Sequence, residues 1–105
     1  MSTDRKNKKK YTIDEIKTLL EPVFRKHNVR RAILFGSYSS GQASKTSDVD
    51  ILVDSHLRGL DFFALLEDVV NALHKDVDLI DIRQLIDESS FKENIDDNGI
   101  EIYAA

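Results

Sequence analysis

Apolar residues recur at helical spacing in the first part of the chain and at strand spacing further on, which separates predicted helices from predicted strands. The first helical pattern follows Thr12 and Glu15, which form a capping box, so the helix is predicted to begin near Ile13. Pro22 lies inside this pattern and has no backbone N–H. We therefore expect a kink or break around residues 20–21.

Three stretches have the pattern of buried or half-buried strands. The sequence RAILF at 31–35 is a continuous apolar run bounded by charge and by Gly36. In DVDILVD at 48–54, valine and isoleucine alternate with aspartate, which predicts one apolar and one acidic face. The sequence DVDLIDI at 76–82 is the third predicted strand, and the closing IEIY predicts a short edge strand.

The intervening segments complete a small α/β pattern. By composition, SYSSGQASKTS is a loop, and Asp61 is the predicted N-cap of a second helix whose apolar stripe includes Leu65 and Val69. A last helix is predicted within residues 83–98, ending at Gly99. This order predicts an α/β (α+β) fold, a small mixed sheet with helices packed on one face.

Composition narrows the functional classes. The chain of 105 residues has a net charge of −4, which disfavours a broad nucleic-acid surface, and no cysteine for a disulfide or thiolate metal site. We expect a flexible basic tail over residues 1–10 and one domain over residues 11–105. Without a signal-peptide pattern or an apolar run of membrane-spanning length, a cytoplasmic location and no membrane partner are expected.

Two aspartates one residue apart, Asp48 and Asp50, lie on the same side of the second predicted strand. A solvated strand edge is the plain structural interpretation of such a pair. Like charges on one face repel each other and lose hydration when covered, so a nearby cation would offset their cost. Carboxylates without histidine or cysteine suit Mg²⁺ or Mn²⁺, which completes its shell with water and substrate phosphate. The pair therefore predicts a metal site that also holds a phosphate ligand.

The turn Gly36-Ser37 directly follows the first predicted strand, where glycine lets the backbone turn sharply and approach a ligand. Gly36 and Gly41 have P-loop spacing, but Gln42 and Ala43 occupy the positions of its lysine and its serine or threonine. Consecutive loop amides can instead form an anion-binding nest, with the Ser37 hydroxyl as a further donor. If a helix starts in this loop, its unpaired amides would also hold a phosphate. A glycine that merely ends a strand is the alternative interpretation.

Asp78 is the third candidate carboxylate. Strand parity places Val77 and Leu79 on the opposite side of the strand, so if these face the core, Asp78 shares the open face with the two metal-site aspartates. There it would complete a second metal site and take a proton from an attacking hydroxyl, as in two-metal phosphoryl or nucleotidyl transfer. Asp81 is the competing residue, because a shift of one position would exchange the two.

These motifs together resemble those of the minimal nucleotidyltransferases of the polymerase-beta-like superfamily: Gly36-Ser37, then after ten residues Asp48-Val-Asp50, and then VDLI. The similarity includes almost the whole chain. It implies that Gly36 and Ser37 hold a nucleoside triphosphate and that Asp48 and Asp50 bind the catalytic metals. Asp78 would help to bind one metal and activate the acceptor hydroxyl.

Small stand-alone members of that superfamily are often antitoxin partners of HEPN-domain toxins and transfer AMP from ATP to a toxin tyrosine. The resemblance therefore implies Mg²⁺ as cofactor, ATP as nucleotide and a HEPN toxin as partner. Two alternatives stay open: a binding module that neutralises its partner without chemistry, and a small-molecule transferase of the aminoglycoside-modifying kind. In 105 residues we expect no second domain for an acceptor pocket, so a protein partner or a homodimer is expected to complete the site.

One segment departs from the family pattern. Many relatives read Gly-Ser-x-Ala-Arg-Gly where this chain reads GSYSSG, with Ser39 and Ser40 in place of the small residue and the arginine. If that arginine helps to neutralise phosphate, triphosphate affinity is reduced here. Because the metal-site aspartates, Ser37 and a third carboxylate are all present, we expect an active enzyme.

Overall fold

The computed structural model describes residues 10–85 and 99–105, and within them the chain forms three α-helices and four β-strands. Their order is α1 (Ile13–Lys26), β1 (Arg31–Phe35), α2 (Ser37–Ser40), β2 (Val49–Asp54), α3 (Gly59–Leu73), β3 (Val77–Asp81), a 3-10 helix (Ile82–Leu85) and β4 (Ile100–Ala104). The helix predicted within residues 83–98 lies mostly outside the described residues.

The four strands form one mixed sheet in the order β3-β2-β1-β4. β1 pairs antiparallel with both β2 and β4, whereas β2 and β3 run parallel. A parallel pair needs a long crossover connection, and α3 supplies it. The predicted mixed sheet is confirmed, as is the predicted edge strand β4.

The main core lies between one face of the sheet and the helices α1 and α3. Its fully buried side chains come from both helices and from alternate strand positions, namely Ile16, Leu20, Phe24, Leu34, Val49, Ile51, Val53, Leu65, Val69 and Leu73. This face agrees with the strand parity expected for β2 and with the apolar stripe expected for α3.

The opposite face of β2 carries Asp50 as predicted, but it is not acidic throughout. Leu52 has the same parity as Asp50 but is only 3% exposed, because it packs against Ile33 of β1. Ile80 and Ile82 are half-buried beside them. A small apolar cluster therefore covers the middle of this face, and the acidic residues lie at its ends.

Helix α1 begins as predicted and ends differently. Thr12 Oγ1 accepts a hydrogen bond from Glu15 N at 3.1 Å, and Thr12 N donates to Glu15 Oε1 at 2.8 Å, which completes the capping box. The helix continues through Pro22 to Lys26, so the expected break does not occur. Because proline has no N–H, the Thr18 carbonyl lacks its usual hydrogen bond within the helix. Thr18 and Pro22 are both exposed, so water can solvate this carbonyl.

Helix α3 begins two residues before its predicted cap. Arg58 is the N-cap, and the Asp61 amide donates to the Arg58 carbonyl at 3.1 Å, so Asp61 lies in the first turn rather than before it. A carboxylate there still interacts favourably with the helix dipole.

In the described ranges, 10–85 and 99–105, every helix is too short or too polar to cross a bilayer.

Candidate active site

Three adjacent strands place one residue each in a row across the sheet. Phe35 of β1 pairs with Asp50 of β2, and Asp50 pairs with Asp78 of β3. Paired residues project from the same face, so the Asp50 and Asp78 carboxylates are neighbours, as strand parity predicts. Asp48, two residues before Asp50, is exposed just ahead of β2 on the same side.

The competing residue Asp81 does not join this group. Its side chain lies on the core side of β3 and is 4% exposed. Its Oδ2 accepts hydrogen bonds from Ser55 Oγ at 2.5 Å and Ser55 N at 3.3 Å, and its Oδ1 accepts one from Arg83 N at 3.0 Å. Asp81 therefore joins the ends of β2 and β3 and does not share the open face with Asp50.

The electrostatics of Asp50 indicate that the three carboxylates interact. Its pKa is raised above the ordinary value by burial first, and then by the negative charges of Asp78 and Asp48. Among the residues that the structure describes, no group of three or more His, Cys, Asp or Glu side chains is already arranged to hold a metal ion. The aspartates thus share a face and repel each other without converging on one point.

Gly36 brings the backbone against Asp50. Its φ of 72° and ψ of −146° belong to a region that side-chain-bearing residues rarely adopt. A Cβ added there would overlap Asp50 Oδ2 and lie 3.2 Å from its Cγ. Only glycine fits this position, because both the backbone angles and the carboxylate exclude a side chain.

The segment after Gly36 is helical where composition predicts a loop. α2 is a single turn closed by the Ser40 N to Gly36 O hydrogen bond at 3.1 Å. The Ser39 hydroxyl donates to Gly36 O at 3.0 Å, and the Ser40 hydroxyl donates to Ser37 O at 3.2 Å. Ser39 and Ser40, the two positions that depart from the resembled pattern, therefore bond to the carbonyls of their own turn.

Tyr38 attaches this turn to the main core. Its side chain is only 5% exposed, and burial raises the pKa of its phenol. Tyr38 has no periodic apolar neighbours in the sequence, so its core position was not predictable from the loop-like composition around it.

Lys75 is a second residue that the sequence pattern does not reveal. It lies between α3 and β3 in the polar stretch HKDVD, yet it is only 2% exposed. Its Nζ donates to the Lys45 carbonyl at 2.7 Å and lies 6.0 Å from the centre of the Tyr11 ring. Lysine is rarely so buried unless its ammonium is paired, so tertiary contacts decide this placement.

Residues 17–105 match the family described as polymerase beta, nucleotidyltransferase. The chain belongs to that family. The family places it among the nucleotidyltransferases, and the Gly36 turn and the Asp50–Asp78 pair lie within the matched residues.

Two similar proteins come from Methanocaldococcus jannaschii, and both are described as candidate protein adenylyltransferases. One is 36% identical over 89 residues, which are 80% of this chain and 96% of that protein. The other is 36% identical over 75 residues, which are 66% of this chain and 87% of that protein.

Solved structures show the same fold. A chain of a toxin–antitoxin complex crystallised with AMP-PNP is 26% identical, with a TM-score of 0.71 over 85% of this chain and 73% of that one. A chain from the complex of a tri-AMPylated Shewanella oneidensis HEPN toxin with an MNT antitoxin is 23% identical. Its TM-score is 0.66 over 89% of this chain and 73% of that one, a likeness of fold alone.

Proposed function

We propose that this nucleotidyltransferase transfers AMP from ATP to a tyrosine hydroxyl of a partner HEPN toxin, with Mg²⁺ as cofactor, and thereby acts as an antitoxin. The observation that carries the proposal is the row formed by Asp50 and Asp78 beside the Gly36 turn, with Asp48 on the same side. This arrangement supports phosphate and metal binding in one place.

The donor set fits a hard divalent cation. The three side chains offer only carboxylate oxygens, and Asp50 bears a charge that its own surroundings disfavour. Mg²⁺ typically takes one or two protein carboxylates and fills its shell with water and phosphate, so a preformed three-ligand group is not required. Asp48 and Asp50 would hold the metals with help from Asp78, and bound Mg²⁺ would neutralise charge on the transferring phosphate.

The remaining roles belong to the chain's own groups. Gly36 keeps the backbone close to Asp50, so that the amides and the Ser37 hydroxyl at the start of α2 can orient the triphosphate. Asp78 would accept the proton of the attacking hydroxyl. The hydroxyl oxygen then bonds to the α-phosphorus, the bond to the β-phosphate breaks, and pyrophosphate leaves.

The comparisons favour a protein as acceptor. A relative described as a candidate protein adenylyltransferase aligns over 96% of its own length. A toxin–antitoxin complex with AMP-PNP contains a chain of the same fold at 26% identity. These likenesses support a protein, such as the toxin of a toxin–antitoxin pair, over a small molecule as the substrate.

The test is an AMP-transfer assay with α-labelled ATP, Mg²⁺ and a purified HEPN-domain toxin from the same source as this chain. We expect label on a toxin tyrosine, and we expect Asp50→Asn to reduce the rate by about 100-fold or more, since it removes a group that acts on the reacting atoms. Glu101→Gln, at an exposed ion pair on β4, is the matched control and should keep the wild-type rate.

Two results would overturn this proposal. Equal labelling by wild type and Asp50→Asn would exclude these carboxylates from the reaction. Neutralisation of the toxin without label, unchanged in Asp50→Asn, would identify a binding module instead of an adenylyltransferase.

A further inference from the structure

The loop of residues 41–48 connects the Gly36 turn to β2, and it positions Asp48. Asp48 precedes the first residue of β2 and is exposed, so the sheet ladder does not fix it directly. The loop has its own tight turn, in which Ser44 N donates to Ser47 Oγ at 2.8 Å and Ser47 N donates to Ser44 O at 3.2 Å. The contacts of the loop with the rest of the chain, together with the pairing of Val49 in the sheet, therefore contribute to where Asp48 lies relative to Asp50.

This loop and the first residue of β2 both contact the segment before β3. The Lys75 ammonium donates to the Lys45 carbonyl at 2.7 Å, and Val49 N donates to the Asp76 carbonyl at 3.1 Å. Asp48 lies between Lys45 and Val49, the two residues that these hydrogen bonds hold. The anchoring segment itself continues into Asp78, two residues after Asp76.

Burying an ammonium is costly, and an apolar side chain would fill the same space without that cost. Lys75 is nevertheless 2% exposed, and its ammonium reaches a loop carbonyl and lies near the Tyr11 ring. A cation held in this way gives the loop a strong, directional hydrogen bond that an apolar residue cannot supply.

We infer that Lys75 is a positioning residue for Asp48: by holding the Lys45 carbonyl, it sets the distance of Asp48 from Asp50 and Asp78 and so tunes metal affinity. This inference rests on the proposed metal role of Asp48. In this assignment Lys75 acts on Asp48 through the Lys45 carbonyl that its ammonium contacts, and not on the reacting atoms.

The first test measures Mn²⁺ affinity in the presence of AMP-PNP. We expect Lys75→Met, which keeps the apolar stem but loses the donor, to weaken Mn²⁺ binding by about tenfold, the lower end of the range for outer-shell partners of a metal site. Lys75→Arg retains the cation and should recover most of the affinity. Lys17→Met is the control, because it removes an ammonium at the end of β1 opposite to Gly36. Lys17 of α1 lies near Ala104, and Ala104 pairs with Arg31, the first residue of β1.

A double-mutant cycle distinguishes positioning of Asp48 from a general loss of stability. If Lys75 acts through Asp48, Lys75→Met should change Mn²⁺ affinity less than twofold when Asp48 is already asparagine. An equal tenfold loss in both backgrounds would overturn the inference. So would Mn²⁺ binding by folded Lys75→Met within twofold of wild type.

Amide hydrogen exchange provides a measurement that needs no metal. In metal-free protein, Lys75→Met should speed exchange at the Val49 amide and at its loop neighbours relative to the amides of β1. Lys75→Gln, whose shorter side chain also loses the Lys45 contact, replaces it if methionine prevents folding. Unchanged exchange overturns the inference. If exchange responds but the wild-type protein binds neither Mn²⁺ nor AMP-PNP, the proposed function and the effect on metal affinity fail, whereas the positioning of the loop by Lys75 stands.

Discussion

At the scale of single residues, Gly36 has the strictest requirement at the site. Its backbone angles favour glycine, and the Asp50 carboxylate occupies the space where a Cβ would lie. Gly41, at the other end of α2, also has a positive φ of 81° but has no atom within 4 Å of an added Cβ. A side chain at Gly41 would therefore cause backbone strain alone, whereas a side chain at Gly36 would cause backbone strain and overlap with the Asp50 carboxylate.

We predict that Gly36→Ala and Gly41→Ala differ in their effect on the site. Gly41→Ala should lower the free energy of unfolding by about 1–2 kcal/mol through its left-handed backbone alone and keep AMP-PNP binding. Gly36→Ala should cost about 1–3 kcal/mol and also abolish detectable binding, because Asp50 must move. Urea unfolding and calorimetric titration with AMP-PNP and Mg²⁺ measure both. Similar binding by the two variants would contradict the role given to the Gly36–Asp50 contact.

At the scale of elements, Asp81 connects the ends of β2 and β3. Its pKa is lowered overall: burial by itself raises the pKa, but the hydrogen bonds from Ser55 and Arg83 and the Arg83 charge outweigh that effect. Arg83 Nη2 also donates to the Leu57 carbonyl at 3.1 Å, and Leu57 N donates to Ser55 Oγ at 3.1 Å. One carboxylate thus organises the connection from β2 towards α3.

We predict that Asp81→Asn destabilises the fold by about 1–3 kcal/mol at pH 7, because an amide cannot accept all of these bonds. A depressed pKa contributes stability above the unfolded value near 3.9, and this contribution is lost as the pH falls through the lower folded value. The difference from wild type should therefore shrink towards pH 3 in urea unfolding.

The matched control for Asp81 is the exposed pair of Arg31 and Glu101, whose Nε and Oε2 are 2.6 Å apart. Glu101→Gln should change the free energy of unfolding by less than about 1 kcal/mol at pH 7, since exposed ion pairs contribute little. A loss in Asp81→Asn that is equally large at pH 7 and pH 3 would show that packing, not charge, explains it.

At the scale of the whole molecule, the neighbouring carboxylates of Asp48, Asp50 and Asp78 repel each other, and this repulsion lowers the free energy of unfolding of the metal-free protein. The pKa of Asp50 is raised, so its ionised form is disfavoured in the folded state. This penalty is complete at neutral pH and is relieved as the pH falls through the folded pKa towards the unfolded value near 3.9. Charge needed at a functional site is a common reason for such a local cost.

We predict that Asp50→Asn raises the free energy of unfolding in EDTA at pH 7 by about 0.5–1 kcal/mol, the scale of removing a like charge opposite another in a sheet. The advantage should disappear near pH 4. With Mg²⁺ and AMP-PNP in excess the order should reverse, because ligands that bind the folded wild type stabilise it by mass action. Thermal unfolding under the three conditions checks this, and an unchanged order with ligand would contradict metal and nucleotide binding at Asp50.

Much of this arrangement could be predicted from local pattern. The capping box at Thr12, the alternation in β2 and β3, and the spacing from Gly36 to Asp50 are properties of neighbouring residues. The sequence alone therefore predicts α1, α3, the four strands, the mixed sheet and the shared face of Asp78, but not α2. The unbroken course of α1 through Pro22 was not predictable in this way, because it depends on solvent exposure of that turn.

Tertiary structure decided the features that depend on residues distant in the chain. Leu52 is covered because β1 brings Ile33 beside it, and Asp81 is structural because Ser55 and Arg83 surround it. The burial of Lys75 depends on a loop carbonyl 30 positions earlier. Local patterns determine which face of a strand a residue occupies, whereas burial, pKa and hydrogen-bond partners depend on what the fold packs against that face.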